Sequence, residues 1–254
     1  MRYCHVAFSL NTIDYGEKIS GFILNAKNKK GGHVMILPKT EELFDLSQSI
    51  AEEMLKKCEY PHIALGRIGE FIKECSIYLG REYKEIKEGV FVAEDASIWE
   101  GVHLVAPCII GHRAEIRPGA FIRGNAIIGD GAVIGNSTEI KNSVVLNEAQ
   151  LPHYNYVGDS IIGYRAHMGA GAIASNLRLD KGEVYLSSGK ERMASGLRKV
   201  GTFLGDYAEI GCGCVLCPGS VIGRKSIIYP LVRVMGHVPE KSIFDGAEIR
   251  ERVI

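Results

Sequence analysis

Three basic side chains in the middle of this 254-residue chain each follow an isoleucine: Arg117 after Ile116, Arg123 after Ile122 and Lys141 after Ile140. If the isoleucines point into a core, the cations point out, and Arg123 and Lys141 are 18 residues apart. In a chain that coils every 18 residues these two share a face, about 4.8 Å apart along the ladder. Cations that close repel unless an anion or solvent separates them, so the pair reads as an anion contact or a solvated surface. A second group is Cys212-x-Cys214-x-x-Cys217. A tetrahedral ion needs thiolates that converge, whereas Cys214 falls at a small, inward corner position and Cys212 faces out. No metal is expected there.

The element that must position these groups runs from Val92 to Leu151. Counting in sixes from Val92 lands on Ile98, Leu104, Ile110, Ile116, Ile122, Ile128, Ile134, Ile140 and Leu146, aliphatic every time. Four residues after most of these the side chain is small, as at Ala96, Cys108, Ala114, Ala120, Ala126, Ala132 and Thr138. A period of six fits neither the 3.6 of a helix nor plain alternation, but it fits a short strand plus a corner, repeated. Three such sides make one coil of a β-helix, with the aliphatic residues as interior columns. Beyond Leu146 the count fails at Pro152. It resumes in a new frame at Ile162 and Met168, and in a third through Leu204, Ile210, Leu216, Ile222, Ile228 and Val234. The spacing therefore predicts two interruptions: a loop at 151–159, and an excursion at 177–201 carrying Lys190, Arg192, Arg198 and Lys199. Segments that leave a rigid repeat are where function concentrates.

Before the repeat, residues 1 to about 38 suggest a hairpin around Asn-Lys-Lys-Gly-Gly. A helix is expected from Thr40 as N-cap, with Leu43, Leu46, Ile50 and Met54 on one face. A second is expected from Pro61 to Leu79, with Leu65, Ile68, Ile72 and Cys75 on its face and Gly80 beyond its end. The organisation read from this is an N-terminal region at 1–84 and a β-helix domain at 85–254. Thirty basic residues balance thirty acidic ones. That neutrality argues against a nucleic-acid partner or an anionic membrane surface. With no long apolar run, no signal peptide and seven cysteines in no paired framework, the expectation is a soluble, cytoplasmic protein with reduced thiols.

The hexads, together with Leu151-Pro-His-Tyr-Asn-Tyr-Val-Gly-Asp-Ser160, Gly169-Ala-Gly-Ala, Ser175-Asn-Leu-Arg-Leu-Asp180 and Ser195-Gly-Leu-Arg-Lys-Val-Gly201, resemble the hexapeptide-repeat acetyltransferases. The resemblance is to the acetyltransferase half of glucosamine-1-phosphate acetyltransferases fused to sugar-phosphate nucleotidyltransferases, and covers roughly residues 83 to 240. The helical pair resembles the linker between the two halves of such fusions. No Gly-rich loop of a nucleotidyltransferase half appears in this sequence. The resemblance implies a left-handed parallel β-helix, a handedness that ordinary crossover physics would not suggest.

What the resemblance implies for chemistry is acetyl transfer from acetyl-CoA, as co-substrate, to an amino-sugar 1-phosphate. Such a transfer needs a base for the attacking amine and donors for the oxyanion. By resemblance His153 is the base, Glu139 a carboxylate ordering the pocket, and Asn176 part of the same catalytic group. Arg117, Lys141, Tyr156, His167 and Lys181 would contact the substrate, although His167 stands where the family has asparagine and Lys181 is an approximate counterpart. Cys212, Tyr229 and Pro230 would line the cofactor groove, where the family has smaller residues. The resemblance also implies a homotrimer with sites between neighbouring β-helices. A γ-class carbonic anhydrase is disfavoured, because its His-x-x-x-x-His spacing is absent among His103, His112, His153 and His167. Two readings stay beside the leading one: a non-catalytic β-helical subunit binding a sugar phosphate or assembling with a separate nucleotidyltransferase, and an acyltransferase on a nucleotide-linked amino sugar.

Overall fold

Three sheets of strands two to five residues long form the sides of a prism, parallel except for antiparallel edge strands at Tyr83–Lys87 and Ile249–Glu251. This computed structural model describes residues 37–253, all within one compact unit, so the hairpin expected before residue 38 lies outside the described residues. The first face begins with Val90–Ala93, the second with Ser97–Ile98 and the third with His103–Leu104, and each strand pairs with its counterpart one coil on. The architecture is the mainly-β parallel β-helix expected from the hexads, with short helices on its N-terminal side.

The interior columns are Val92, Ile110, Ile116, Ile122, Ile128, Ile134 and Ile140 in the first frame and Leu204, Ile210, Leu216, Ile222, Ile228 and Val234 in the last. Corner alanines such as Ala114, Ala120, Ala126 and Ala132 are fully buried beside them, where a larger side chain would collide with the column. Two expectations about the middle of the chain are corrected. The frame slips one unit earlier than the count of six shows, because Val145, not Leu146, pairs with Ile128 in the core column. Leu146 faces outward into a second apolar cluster and is aliphatic for a different reason.

The second correction concerns 151–159, which is not a loop. Ile134 pairs with Leu151 and Ile140 with Val157, so these coils simply contain 17 residues instead of 18. Gln150–His153 and Tyr156–Gly158 are strands, and Leu151 and Val157 are core residues. The excursion does leave the prism. It contains the antiparallel hairpin Tyr185–Ser188 with Glu191–Ala194, and Val184, Leu186 and Val200 join the outer cluster.

That outer cluster exists because the first face is apolar on both sides. Ile109, Ile127, Val144, Ile161, Phe203 and Val221 point away from the prism core and are covered by Leu43, Phe44, Leu55, Leu65, Ile68 and Ile72 from the helical segment. The two expected helices are broken into shorter pieces. The first becomes Thr40–Leu43, a 3₁₀ turn at Leu46–Gln48 and Glu52–Lys56. Lys39 is its N-cap, and Thr40 instead donates its hydroxyl to the Cys58 carbonyl at 2.5 Å. The second becomes a 3₁₀ turn at Pro61–Gly66 and a helix at Ile68–Ser76, ending before Leu79. The prism holds the first break: Asp206 accepts from the Asp45 backbone N–H at 2.6 Å and its own N–H donates to the Leu43 carbonyl, which pins the chain between Thr40–Leu43 and Leu46–Gln48.

Candidate functional site

Side chains on the third face are set by strand register. Glu139 lies between Phe121 and Tyr156 in the ladder, and Ile140 between them faces inward, so Glu139 and Lys141 both project outward. Lys141 reaches Asp159 Oδ2 at 3.5 Å, and Asp159 also accepts from Asn142 Nδ2 at 2.8 Å and from Asn176 Nδ2 at 2.5 Å. Asn176 Nδ2 is also 3.2 Å from the Tyr156 hydroxyl. Burial pushes the Tyr156 phenol above its ordinary value, and the nearby Glu139 charge adds to the shift. The structure thus brings Lys141, Tyr156 and Asn176 together around one carboxylate that sequence reasoning passed over. Asp159 is 5 % exposed and turns the corner at φ 50°, a conformation acidic residues tolerate.

Arg123 Nη1 donates to Glu139 Oε1 at 2.6 Å, so each of the two stacked cations has its own carboxylate. Within the chain Glu139 therefore engages Arg123.

His153 ends its strand on the corner between the second and third faces, and Tyr154 turns that corner at φ 51°. The side chain is exposed and its imidazole has no hydrogen-bond partner among the described residues. The corner is a continuous ladder: Gly171 N–H donates to His153 O, Gly213 N–H to Ala170 O and Leu231 N–H to Cys212 O, at 3.0, 2.8 and 2.9 Å. His153, Ala170, Cys212 and Pro230 consequently stand in one vertical column, with Cys212 about 10 Å above His153 at two ladder spacings. Tyr229 precedes Pro230 in the same turn, and Arg117 enters this corner from the strand Glu115–Ile116 below.

Other expected residues have partners of their own or lie away from this corner. Arg117 makes a two-pronged contact with Glu115, at 3.0 and 3.1 Å, which holds the guanidinium above its ordinary pKa. His167 is on the second face, where Nδ1 is 3.0 Å from Glu209 Oε2, beside a cavity of about 550 Å³ that Arg165, Gln150 and Tyr207 also line. Lys181 is exposed on the excursion at φ 57°. Glu115 and Glu209 were missed because each sits at a coil position where an outward charge reads only as surface. Cys214 is buried in the core whereas Cys212 is exposed, so the two thiols lie on opposite sides of the wall. No group of three His, Cys, Asp or Glu side chains that could hold a metal occurs among the described residues.

Comparison with known proteins finds a matching family model and several relatives by sequence. A family model described as the GMPPB C-terminal domain matches residues 104–187. The chain is 38 % identical over 146 residues to a bifunctional sugar-1-phosphate nucleotidylyltransferase/acetyltransferase of Sulfurisphaera tokodaii, covering 58 % of this chain and 36 % of that protein. It is 36 % identical over 85 residues to the bifunctional protein GlmU of Methanococcus maripaludis, covering 34 % and 20 %. This chain thus spans about a third of the length of the first relative and a fifth of the second. Among solved structures, a Francisella novicida UDP-N-acetylglucosamine acyltransferase aligns with 65 % of this chain and 66 % of its own at 15 % identity and a TM-score of 0.40. By sequence, the chain is a relative of the C-terminal part of GlmU-type bifunctional proteins.

Proposed function

We propose that the protein is an acetyl-CoA-dependent N-acetyltransferase that acts on an amino-sugar 1-phosphate. The observation that carries the reading is the corner column, in which an exposed, unpartnered imidazole at His153 is in register with Cys212 and Pro230 and is followed three residues later by Tyr156. In this reading the thioester end of acetyl-CoA lies along the column. The sugar lies across the third face, with Lys141 and Arg117 toward its phosphate and Tyr156 and Asn176 toward its ring.

The chemistry assigned to His153 is the removal of a proton from the sugar's amine as nitrogen attacks the thioester carbonyl, because a protonated amine has no lone pair to offer. The C–S bond then breaks and CoA leaves as the thiol. Amide and backbone N–H donors near the carbonyl oxygen would stabilise the oxyanion. Arg117 and Lys141 lie on different faces of one chain, and this separation favours sites completed between neighbouring β-helices of a homotrimer. The proposed setting is the cytoplasm, where acetyl-CoA is present and thiols stay reduced. No helix among the described residues is long and apolar enough to cross a membrane.

The test is release of free CoA thiol from acetyl-CoA with a panel of amino sugars, amino-sugar 1-phosphates and nucleotide-linked amino sugars. Turnover with an amino-sugar 1-phosphate supports the proposal. Preference for a nucleotide-linked sugar shifts the substrate, and absence of turnover with every amine leaves a binding or assembly subunit.

A further inference from the structure

A cavity of about 490 Å³ opens between the helical segment and the excursion, lined by Leu65, Gly66, Asn142, Asp159, Leu177, Leu197, Arg198 and Lys199. Its volume is in the range of small-molecule sites. The walls divide by chemistry. Leu65 is buried, and Leu177 and Leu197 are partly exposed, so one side offers apolar surface. The other side carries Arg198 and Lys199, both exposed and both without an ion-pair partner among the described residues.

Several cations elsewhere are already engaged by carboxylates: Arg117, Arg123, Lys141, Arg165 and Arg224 on the prism and Arg178 within the excursion. Arg198 is also oriented: its Nε donates to the Lys181 carbonyl at 3.2 Å, which leaves the two terminal nitrogens of the fork to other acceptors. Lys199 is held by its backbone, which bridges to Leu177 and closes the neck of the excursion. Asn142 also lines the cavity; its amide nitrogen donates to Asp159, and its carbonyl oxygen has no hydrogen-bond partner among the described residues. An oriented guanidinium beside an ammonium suits adjacent phosphate groups, and an apolar wall with one amide acceptor suits a planar base bearing an N–H donor.

We propose that this cavity binds a nucleoside diphosphate, either free or as the nucleotide end of a nucleotide-linked sugar. The phosphates lie against Arg198 and Lys199, and the base lies between Leu65, Leu177 and Leu197 with an N–H donated to Asn142. Asp159 connects this cavity to the third face, since it holds Lys141 and Asn176 from the other side. The proposal does not depend on acetyl transfer.

The experiment is calorimetric titration of the full chain at low salt with ADP, GDP, UDP, a UDP-sugar, adenosine and inorganic pyrophosphate. The expected result is saturable binding of at least one diphosphate, lost with adenosine and weakened at least about tenfold in the double variant Arg198→Ala, Lys199→Ala. Both side chains are exposed, so the variant should melt as the wild type does, and a single Asn142→Ala variant gives a second readout on the base. Stronger binding of the UDP-sugar than of UDP assigns the site to a linked nucleotide, and equal binding to a free one. The proposal is overturned if no nucleotide binds at millimolar concentration, if the double variant binds unchanged, or if pyrophosphate binds as tightly as the nucleotides.

Discussion

Gly135 and Pro152 are stacked backbone on backbone: a Cβ built on Gly135 would overlap the carbonyl oxygen of Pro152. The neighbouring residue of Pro152 is His153, so the height of the candidate base on its corner depends on the absence of a side chain one coil below. Gly135→Ala should destabilise the protein by about 1 to 3 kcal/mol, the cost of overpacking a tight interior. It should also lower any acetyl-transfer rate more than it alters the fold. Urea unfolding and circular dichroism of the variant check the first part; a variant as stable as wild type would mean that the two coils separate without cost.

His153 carries no core contact and no ring hydrogen bond among the described residues. His153→Ala is therefore expected to fold normally and to lose about 10²- to 10⁴-fold in turnover, the range for removing a general base. The acid limb of the rate profile should disappear with it, because a protonated imidazole cannot accept the amine's proton. A folded variant with the wild-type rate and profile would remove His153 from catalysis.

Lys141 and Arg117 each carry a protein carboxylate, Asp159 and Glu115 respectively. A substrate phosphate must compete with these partners, and the contact with Asp159 is the longer of the two. Lys141→Ala should weaken binding of an amino-sugar 1-phosphate by about 1.5 to 3 kcal/mol while leaving the unphosphorylated sugar nearly unaffected. Arg117→Ala should act in the same direction. Equal losses for both sugars, measured as KM or by direct titration, would mean that neither residue reads the phosphate.

His62 offers a test of pH dependence away from the site. It is 7 % exposed, its Nδ1 has no hydrogen-bond partner among the described residues, and burial pushes the imidazole down to about 4. Unfolded, the same ring titrates near 6.5, so between those values the unfolded chain binds a proton that the folded chain refuses. Stability from this residue is present above about 6.5 and is lost as pH falls toward 4, by up to about 3 kcal/mol. His62→Leu should flatten that part of the stability profile and also remove an unsatisfied buried nitrogen. Thermal melts at pH 7 and pH 5 that fall in parallel for both proteins would assign the acid sensitivity elsewhere.

The repeat was legible in the order of residues because a prism side has a fixed length: one inward aliphatic, one small corner, every six positions. The columns at Ile110 to Ile140 and Leu204 to Val234, and the inward Cys214 against the outward Cys212, follow from that period alone. Position 142 was not legible. Dropping one residue at a corner leaves Leu146 aliphatic by the old count, yet register puts Val145 in the core and Leu146 against the helices. The same slip turned Leu151 to Asp159 into an apparent loop, although pairing with the coil below makes most of it strand. The first helical piece was cut short where the prism holds the chain, with the Asp206 and Asn147 N–H groups donating to the Leu43 and Gln48 carbonyls and the Asp206 carboxylate accepting from Asp45 N–H, regardless of intrinsic periodicity. The candidate site divides in the same way. His153, Lys141, Tyr156 and Asn176 could be named from their motifs, whereas the carboxylates of Asp159 and Glu209 acquire meaning only through stacking. Residues 17, 18 or 42 positions apart become neighbours when coils lie one on another, and a local pattern of residue types does not encode which of those separations applies.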